Sequence, residues 1–191
     1  IHISIADVTG HGVASALVGV QVRTFARAAL AKAISPAAML REINRFMIAT
    51  FKYDFLMTMI CVHYDPRNSR LILSGAGHCP AILLNSDGAL REYPSAAPPL
   101  GVTDTALFVE ETIDFAIGDQ LLLYTDGLTE VCSAEGEMFG INRLLAVLRQ
   151  RPSGAGRETL EHILREARLF SATSAFADDV TLVMLERLGN M

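Results

Sequence analysis

Apolar and polar positions along the chain divide it into two blocks of helix separated by a long β section. Residues 36–50 carry apolar side chains on one face and begin after Ser35, a predicted N-cap. The segment 13–33 is rich in Ala and apolar on nearly all sides, so the pattern predicts a long helix packed on most of its faces. Residues 141–150 and 157–170 predict two further helices.

Short β-rich runs bounded by turn residues account for most of the remainder. The predicted strands are residues 1–6, 55–64, 70–74, 81–85, 90–93, 106–115, 120–125 and 180–186. The turns D-P-R-N-S at 65–69 and S-D-G at 86–88 predict two hairpins. Sequential hairpins and segregated helices favour an α+β fold with antiparallel sheets over a parallel βαβ arrangement. A single domain, 1–191, is the simplest organisation.

Composition narrows the class of protein. Apolar residues make up 51% of the 191 residues, which is enough for a large core, and the net charge is −5. No Lys/Arg run is present, so nucleic-acid binding is not expected. Arg23, Arg27 and Lys32 interrupt the most apolar segment, which favours a buried helix over a membrane span. The three cysteines form no C-x-x-C pair, which predicts a reducing, cytoplasmic location without disulfides or zinc.

Aspartates mark the ends of three predicted strands. Asp7 ends the first strand, Asp126 ends the strand before the last, and Asp178-Asp179 precede the last. A carboxylate beside an apolar strand is costly to bury without a partner, and few basic residues are near in sequence. Carboxylates gathered at strand tips are hard oxygen ligands suited to Mg²⁺ or Mn²⁺. Taken singly, each aspartate also fits an ordinary turn, cap or solvated loop.

Five ordered motifs decide between these interpretations. They are D-V-T-G-H-G at 7–12, A-G-H at 76–78, T-D-G-L-T-E at 125–130, F-G at 139–140 and D-D-V-T-L-V at 178–183. In this order and spacing they resemble the SpoIIE-type bacterial branch of the metal-dependent serine/threonine phosphatases, the protein phosphatase 2C (PP2C) superfamily. The resemblance covers essentially the whole chain. It implies two packed antiparallel sheets flanked by helices on both outer faces, an αββα sandwich.

The resemblance also implies a ligand set. Asp7 resembles an aspartate that bridges two metal ions, with the backbone carbonyl of Val8 as a further ligand. Asp126 and Asp178 resemble the carboxylates of the second metal. Two divalent cations, Mn²⁺ or Mg²⁺, are therefore expected, and they activate a water for attack on phosphorus without a Cys or Ser nucleophile. The cysteines are accordingly expected to be small buried side chains.

Supporting roles follow for the neighbouring positions. Asp179 matches a position that supports the ligands, and Gly127 lets the backbone approach the site closely. Gly10 and Gly12 permit the tight turn after the first aspartate. Glu130 is a candidate outer-shell group, with a capping role as the alternative.

Two histidines belong to the motifs. His11 is a candidate general acid for the leaving alkoxide, with a structural hydrogen-bonding role as the alternative. His78 is interpreted as a buried histidine that fixes a turn, in preference to a metal ligand.

One departure from the family pattern concerns the start of the chain. The family has a further aspartate on a strand before the one that opens this sequence at Ile1. The chain is therefore expected to be an N-terminally truncated piece of a longer, multidomain signalling protein, with the N-terminal strand missing and one metal site weakened.

The resulting expectation is hydrolysis of phosphoserine or phosphothreonine on a partner protein. The resemblance implies a STAS-domain anti-sigma-factor antagonist in a bacterial partner-switching or stress-response pathway. A pseudophosphatase that binds a partner without hydrolysis is the alternative. A two-metal phosphodiesterase ranks lower, because the chain is acidic and contains no Trp. The oligomeric state is left open, a homodimer being one option.

Overall fold

The elements are defined over residues 1–30, 35–150, 156–173 and 176–189, which the computed structural model describes. In chain order they are β1 (His2–Val8), α1 (Val13–Leu30), α2 (Pro36–Phe51), β2 (Met57–Asp65), β3 (Arg70–Ala76), β4 (Ala81–Leu84), β5 (Leu90–Tyr93), β6 (Glu111–Asp114), β7 (Gln120–Tyr124), a 3₁₀ turn (Asp126–Leu128), α3 (Gly140–Arg149), α4 (Gly156–Phe170) and β8 (Leu182–Glu186). All strand pairs are antiparallel, so the predicted α+β class is confirmed.

The first of two compact units comprises Ile1–His78 and Pro94–Phe115. Its sheet has the order β1-β2-β3-β6, and β2 and β3 form the hairpin that the D-P-R-N-S turn predicts. Successive side chains of a strand point to opposite faces. On one face, Met57, Met59 and Cys61 of β2 pack with Leu40 and Ile43 of α2 in a buried cluster.

Helix α2 is fixed at its start by specific contacts. Ser35 is the predicted N-cap, and its Oγ accepts a hydrogen bond from the N–H of Ala38 at 3.5 Å. The N–H of Ala37 donates to Oε1 of Glu110 at 2.8 Å. These N–H groups have no partner within the helix, so both acceptors satisfy them, and Glu110 also ties the start of the helix to the chain before β6. The predicted strand 106–115 is correspondingly shorter, since only Glu111–Asp114 joins the ladder.

Helix α1 differs from the prediction that it is packed on most sides. Only Val18, Val22 and Ala29 are buried, and Val13 is 78% exposed. The prediction is wrong because an apolar pattern shows which faces could be buried, while burial itself requires neighbours on each of those faces. By length and composition alone, α1 is also the one helix among the described residues that could cross a membrane, a test that core helices of soluble proteins also pass. Residues 31–33 of the predicted helix lie outside the described residues.

The second unit comprises Cys79–Tyr93 and the described part of Ala116–Met191. Its sheet has the order β5-β4-β7-β8, with β4 and β5 forming the second predicted hairpin. Leu122 of β7 shares a buried cluster with Leu144 of α3 and Ile163 of α4. Glu186 of β8 holds the start of α4, because its Oε2 accepts the N–H of Gly156 at 2.8 Å. This packing leaves the turn after β7 at one end of the sheet, beside the chain that enters β8.

Candidate metal centre

The segment that begins with Asp7 forms a tight turn at the end of β1. Asp7 lies opposite Thr58 of β2 in the ladder, and its side chain is half-buried. The N–H of Thr9 donates to the carbonyl of Leu56 at 2.9 Å, and its Oγ1 accepts the N–H of Leu56 at 3.2 Å. These bonds anchor the chain two residues after Asp7, so the position of its backbone is set by β2.

The two glycines of this turn have the conformation expected of them. Gly10 has φ +88° and Gly12 has φ +89°, a left-handed region that favours glycine. His11 lies between them with an exposed side chain, and Val8 is half-buried. Both glycines thus have the backbone conformation that a tight turn requires, whereas their supporting role and the roles of His11 and of the Val8 carbonyl stay predictions.

In the second unit, Thr125 joins the turn after β7 to the start of β8. Its N–H donates to the carbonyl of Thr181 at 3.1 Å, and its Oγ1 accepts the N–H of the same residue at 2.9 Å. The hydroxyl donates in turn to the carbonyl of Asp179 at 3.0 Å. Asp126 and the Asp178-Asp179 pair are thereby held at the same end of one sheet, as the sequence predicts.

Gly127 brings these two segments into backbone contact. A Cβ at this position would lie 2.5 Å from the carbonyl oxygen of Asp179 and 3.1 Å from its carbonyl carbon. Real Cβ atoms essentially never approach another atom that closely. The predicted close approach at Gly127 is therefore present, and its neighbour is the backbone of the second acidic segment.

The environment of the Asp126 carboxylate is the most direct indication of a cation site. Its Oδ1 is buried and has no hydrogen-bond partner among the described residues. A buried carboxylate oxygen without a partner is costly, and an oxygen-seeking cation is one group that would satisfy it. None of the ion pairs among the described residues involves Asp126, Asp178 or Asp179. The donor set of this unit therefore fits Mg²⁺ or Mn²⁺.

Asp178 and Asp179 differ from Asp126 in being exposed. Oδ1 of Asp178 accepts the N–H of Asp179 at 2.7 Å, which fixes the orientation of that carboxylate. A cavity of about 200 Å³ adjoins it, lined by Gly127, Glu130 and Asp178 together with Ser171, Thr173 and several apolar side chains. Exposed Glu130 thus lies near the candidate ligands at the rim of an open space.

The structure assigns the predicted site residues to two units. The first unit holds Asp7, Val8, Gly10, His11 and Gly12, and the second holds Asp126, Gly127, Glu130, Asp178 and Asp179. Over the described ranges, no group of three or more His, Cys, Asp or Glu side chains is arranged to hold a metal ion. The structure brings Asp126, Gly127 and Asp178 together, while the convergence of Asp7 with them stays a prediction.

His78 has the structural environment expected of a turn-fixing histidine. It is 6% exposed, and its Nδ1 lies 2.8 Å from Oγ1 of Thr58. Its N–H donates to Oγ of Ser95 at 3.1 Å, and the same hydroxyl donates to its carbonyl at 2.9 Å. Thr9 and Thr125 were given no role from the sequence, although both stand inside recognised motifs and could have been found by considering the hydroxyls as well as the carboxylates. Thr58 lies outside these five motifs, and its contact with His78 is visible only in the structure.

The cysteines correct one expectation. Cys61 is buried, and burial raises the pKa of its thiol to about 12. Cys79 is half-buried and Cys132 is exposed, so the prediction that all three are buried is wrong for Cys132. The exposed cysteine directly precedes a tight turn in which the N–H of Ser133 donates to the carbonyl of Glu137 at 2.8 Å.

Comparison with known proteins assigns the family. The model of the family described as Stage II sporulation protein E (SpoIIE) matches residues 1–188. The chain belongs to the SpoIIE family. It is 24% identical over 188 residues to the phosphoserine phosphatase RsbP of Bacillus subtilis (strain 168), a match that covers 96% of the chain and 45% of RsbP. The chain thus spans less than half the length of that relative.

Solved structures agree with this assignment at the level of fold. The chain matches the SiaA-PP2C domain of Pseudomonas aeruginosa with a TM-score of 0.85 and 24% identity, over 97% of the chain and 75% of that domain. It matches the catalytic domain of the serine/threonine phosphatase PstP, solved with two manganese ions, with a TM-score of 0.67 and 20% identity, over 96% and 86%. These likenesses confirm the predicted α+β sandwich at the level of fold, and the family model confirms the predicted SpoIIE family.

Proposed function

We propose that this SpoIIE-family domain hydrolyses phosphoserine or phosphothreonine on a partner protein, with two divalent cations, Mn²⁺ or Mg²⁺, at its acidic site. The single observation that supports this most is the buried, unpartnered Oδ1 of Asp126 beside the Asp178 segment. When bound, the cations supply an activated water and neutralise negative charge on the transferred phosphoryl group. The proposed ligands are the carboxylates of Asp7, Asp126 and Asp178 and the backbone carbonyl of Val8.

The residues of the chain itself set the geometry of this site. Thr125 fixes the turn that carries Asp126 by its bonds to the chain that enters β8. The N–H of Asp179 holds Oδ1 of Asp178, which keeps that carboxylate in one orientation. Both hydrogen-bonding arrangements reduce the rearrangement of the carboxylates that is needed when a cation binds. Residues that hydrogen-bond to metal ligands usually contribute in this way. Asp179 and Gly127 thus support the ligands, in the roles that the sequence suggests for them.

The leaving group also needs a proton. His11 is exposed and follows Asp7 by four residues, and its imidazole is the candidate donor to the serine or threonine oxygen. A structural hydrogen-bonding role is the alternative for this residue. Replacing His11 by Asn separates the two, because loss of a proton donor alters the pH dependence of kcat, whereas loss of a structural bond lowers stability at every pH.

The proposed substrate is a phosphorylated STAS-domain anti-sigma-factor antagonist in a cytoplasmic partner-switching pathway. The likeness to RsbP, which is named a phosphoserine phosphatase, supports this choice. A phosphorylated side chain has to reach the carboxylates from solvent, and the open cavity beside Asp178 and Glu130 offers a route to them. A homodimer remains one option for the assembled protein.

The test is Mn²⁺-dependent release of phosphate from a phosphoserine STAS-domain protein, with Asp126→Asn as the variant. Since outer-shell substitutions alone typically cost about 10–100-fold, loss of a direct ligand is expected to lower kcat/KM by at least about 100-fold. Asp114→Asn is the matched control, because that side chain is 90% exposed and makes only a surface ion pair with Arg70. The control is expected to keep wild-type activity.

Three outcomes discriminate among the candidate functions. Phosphate release that Asp126→Asn abolishes supports the phosphatase. Binding of the phosphoprotein without release supports a pseudophosphatase, and release from a phosphodiester but not from the phosphoprotein supports a phosphodiesterase. An Asp126→Asn variant as active as the wild type would refute the site.

A further inference from the structure

Thr58 and His78 form a hydrogen-bonded pair near Asp7, and neither residue is among the proposed metal ligands. Thr58 is the residue of β2 directly opposite Asp7 in the antiparallel ladder. Side chains of directly opposed residues lie on the same face of a sheet, with Cβ atoms about 4.5–5.5 Å apart. Thr58 therefore stands beside Asp7, and its Oγ1 lies 2.8 Å from Nδ1 of His78.

The position of His78 is fixed independently of Thr58. Its N–H and carbonyl both bond to the Ser95 hydroxyl, at 3.1 and 2.9 Å. The preceding Gly77 has φ +61°, and a Cβ there would lie 2.5 Å from the ring of Pro99. The backbone at this turn is thus closely confined, so the imidazole is an anchor for the threonine hydroxyl.

The polarity of β2 argues that this pair serves the site and not the core. On the face that carries Thr58, the next two side chains are Ile60 and Val62, each 1% exposed. From Val62 toward the Asp7 end, the row therefore changes from apolar to polar at the position opposite Asp7. Burial of a histidine to 6% exposure is costly unless it is hydrogen-bonded, and Thr58 supplies such a partner. If this position only packed against the core, a valine would fill it as well as Thr58 does.

We propose that His78 and Thr58 are positioning residues for Asp7. The hydrogen bond to Nδ1 holds the Thr58 side chain in one rotamer, whichever of the two atoms donates, and Thr58 in turn restricts the carboxylate beside it. This inference rests on the proposed function, because it takes Asp7 to be a metal ligand. Its consequence is that cation affinity at Asp7 depends on a hydroxyl that itself need not touch the cation.

The experiment measures Mn²⁺ binding by calorimetry, with melting temperature and the Mn²⁺ dependence of hydrolysis recorded alongside. Thr58→Val keeps the shape and removes the hydroxyl, and it is expected to weaken Mn²⁺ binding by about 10–100-fold. Thr58→Ser restores the hydroxyl and is expected to stay within about 3-fold of the wild type. Thr112→Val, at an exposed position of β6 two strands away in the same sheet, is the matched control and is expected to bind normally.

A double-mutant cycle tests the pair itself. His78→Asn retains a polar group near the Nδ1 position, and its effect on Mn²⁺ affinity is expected to be smaller than that of Thr58→Val. Because both substitutions act through one hydrogen bond, the double variant is expected to bind no more weakly than Thr58→Val alone. Full additivity of the two effects would overturn the coupling between Thr58 and His78.

Failure of this inference is distinguishable from failure of the proposed function. If Asp7→Asn loses Mn²⁺ binding while Thr58→Val binds as the wild type does, the positioning role is overturned and the proposed site stands. If Thr58→Val and Thr112→Val weaken binding equally, the effect belongs to the sheet in general and the inference is again overturned. If the wild type binds no Mn²⁺, or Asp7→Asn binds it unchanged, both proposals are overturned.

Discussion

Replacing Gly127 by Ala is the sharpest steric test of how the acidic segments are held together. The added Cβ would lie 2.5 Å from the carbonyl oxygen of Asp179 and 3.4 Å from the carbonyl carbon of Asp178. Both neighbours are backbone atoms, so no side-chain rotation relieves the contact. The chain that carries Asp178 therefore has to retreat from the turn that carries Asp126.

The magnitude follows from that displacement. Overpacking of a well-packed site costs about 1–3 kcal/mol, and for a chain of this size each kcal/mol lowers Tm by roughly 2–4 °C. A shift of about 1 Å within an active site can cost about 100-fold in rate. Gly127→Ala is therefore expected to lower Tm modestly and to weaken Mn²⁺ binding and phosphate release much more strongly.

Calorimetric titration with Mn²⁺ and a thermal melt of the same samples give both quantities. Gly19→Ala is the matched control, because a Cβ there meets only Cγ2 of Val8 at 3.8 Å, an ordinary contact. Since Gly in a helix interior costs about 1 kcal/mol relative to Ala, the control is expected to be as stable as the wild type or slightly more stable. A Gly127→Ala variant with wild-type Tm and wild-type Mn²⁺ affinity would refute the reasoning.

Two further predictions concern the rest of the first unit and the thiols. Asn44→Ala removes an amide that is 2% exposed and makes two hydrogen bonds of 2.8 Å to the backbone of residues 101–103. Each buried backbone group left unpaired costs about 1–3 kcal/mol of the free energy of unfolding, so the variant should have a lower urea midpoint. Replacing the exposed Arg45 by Ala is the control and should leave the midpoint unchanged. Because burial raises the pKa of Cys61 to about 12, its thiolate fraction at pH 8 is about 1 in 10⁴. Mass spectrometry after brief alkylation should therefore find Cys132 modified, and Cys61 modified only in denaturant. Early labelling of Cys61 in the folded protein would contradict its burial.

Local patterns in the sequence identified most elements and much of the candidate site. The D-P-R-N-S and S-D-G turns predict two hairpins that are present, and Ser35 caps α2 as predicted. Gly10 and Gly12 have the positive φ angles that a tight turn requires. Each of these features depends on the residue itself and its immediate neighbours, so a linear sequence is enough to predict it.

Features that depend on distant neighbours were predicted incompletely or not at all. The apolar pattern of α1 does not show that Val13, Leu17 and Val20 are exposed, because exposure depends on which elements pack nearby. The His78–Thr58 bond joins residues twenty positions apart, and the Thr125–Asp179 bond joins residues fifty-four apart. The sequence identifies such residues but does not show which of them are in contact.

The sequence by itself determined the family, the α+β class and the identities of the acidic residues, because these follow from ordered motifs and local propensity. Only the tertiary structure decided that Gly127 contacts the backbone of Asp179, that Oδ1 of Asp126 is buried without a partner, and that Thr58 stands beside Asp7. Hydrogen bonding and burial depend on distances between atoms in space, and those distances are set when separate strands pair into sheets.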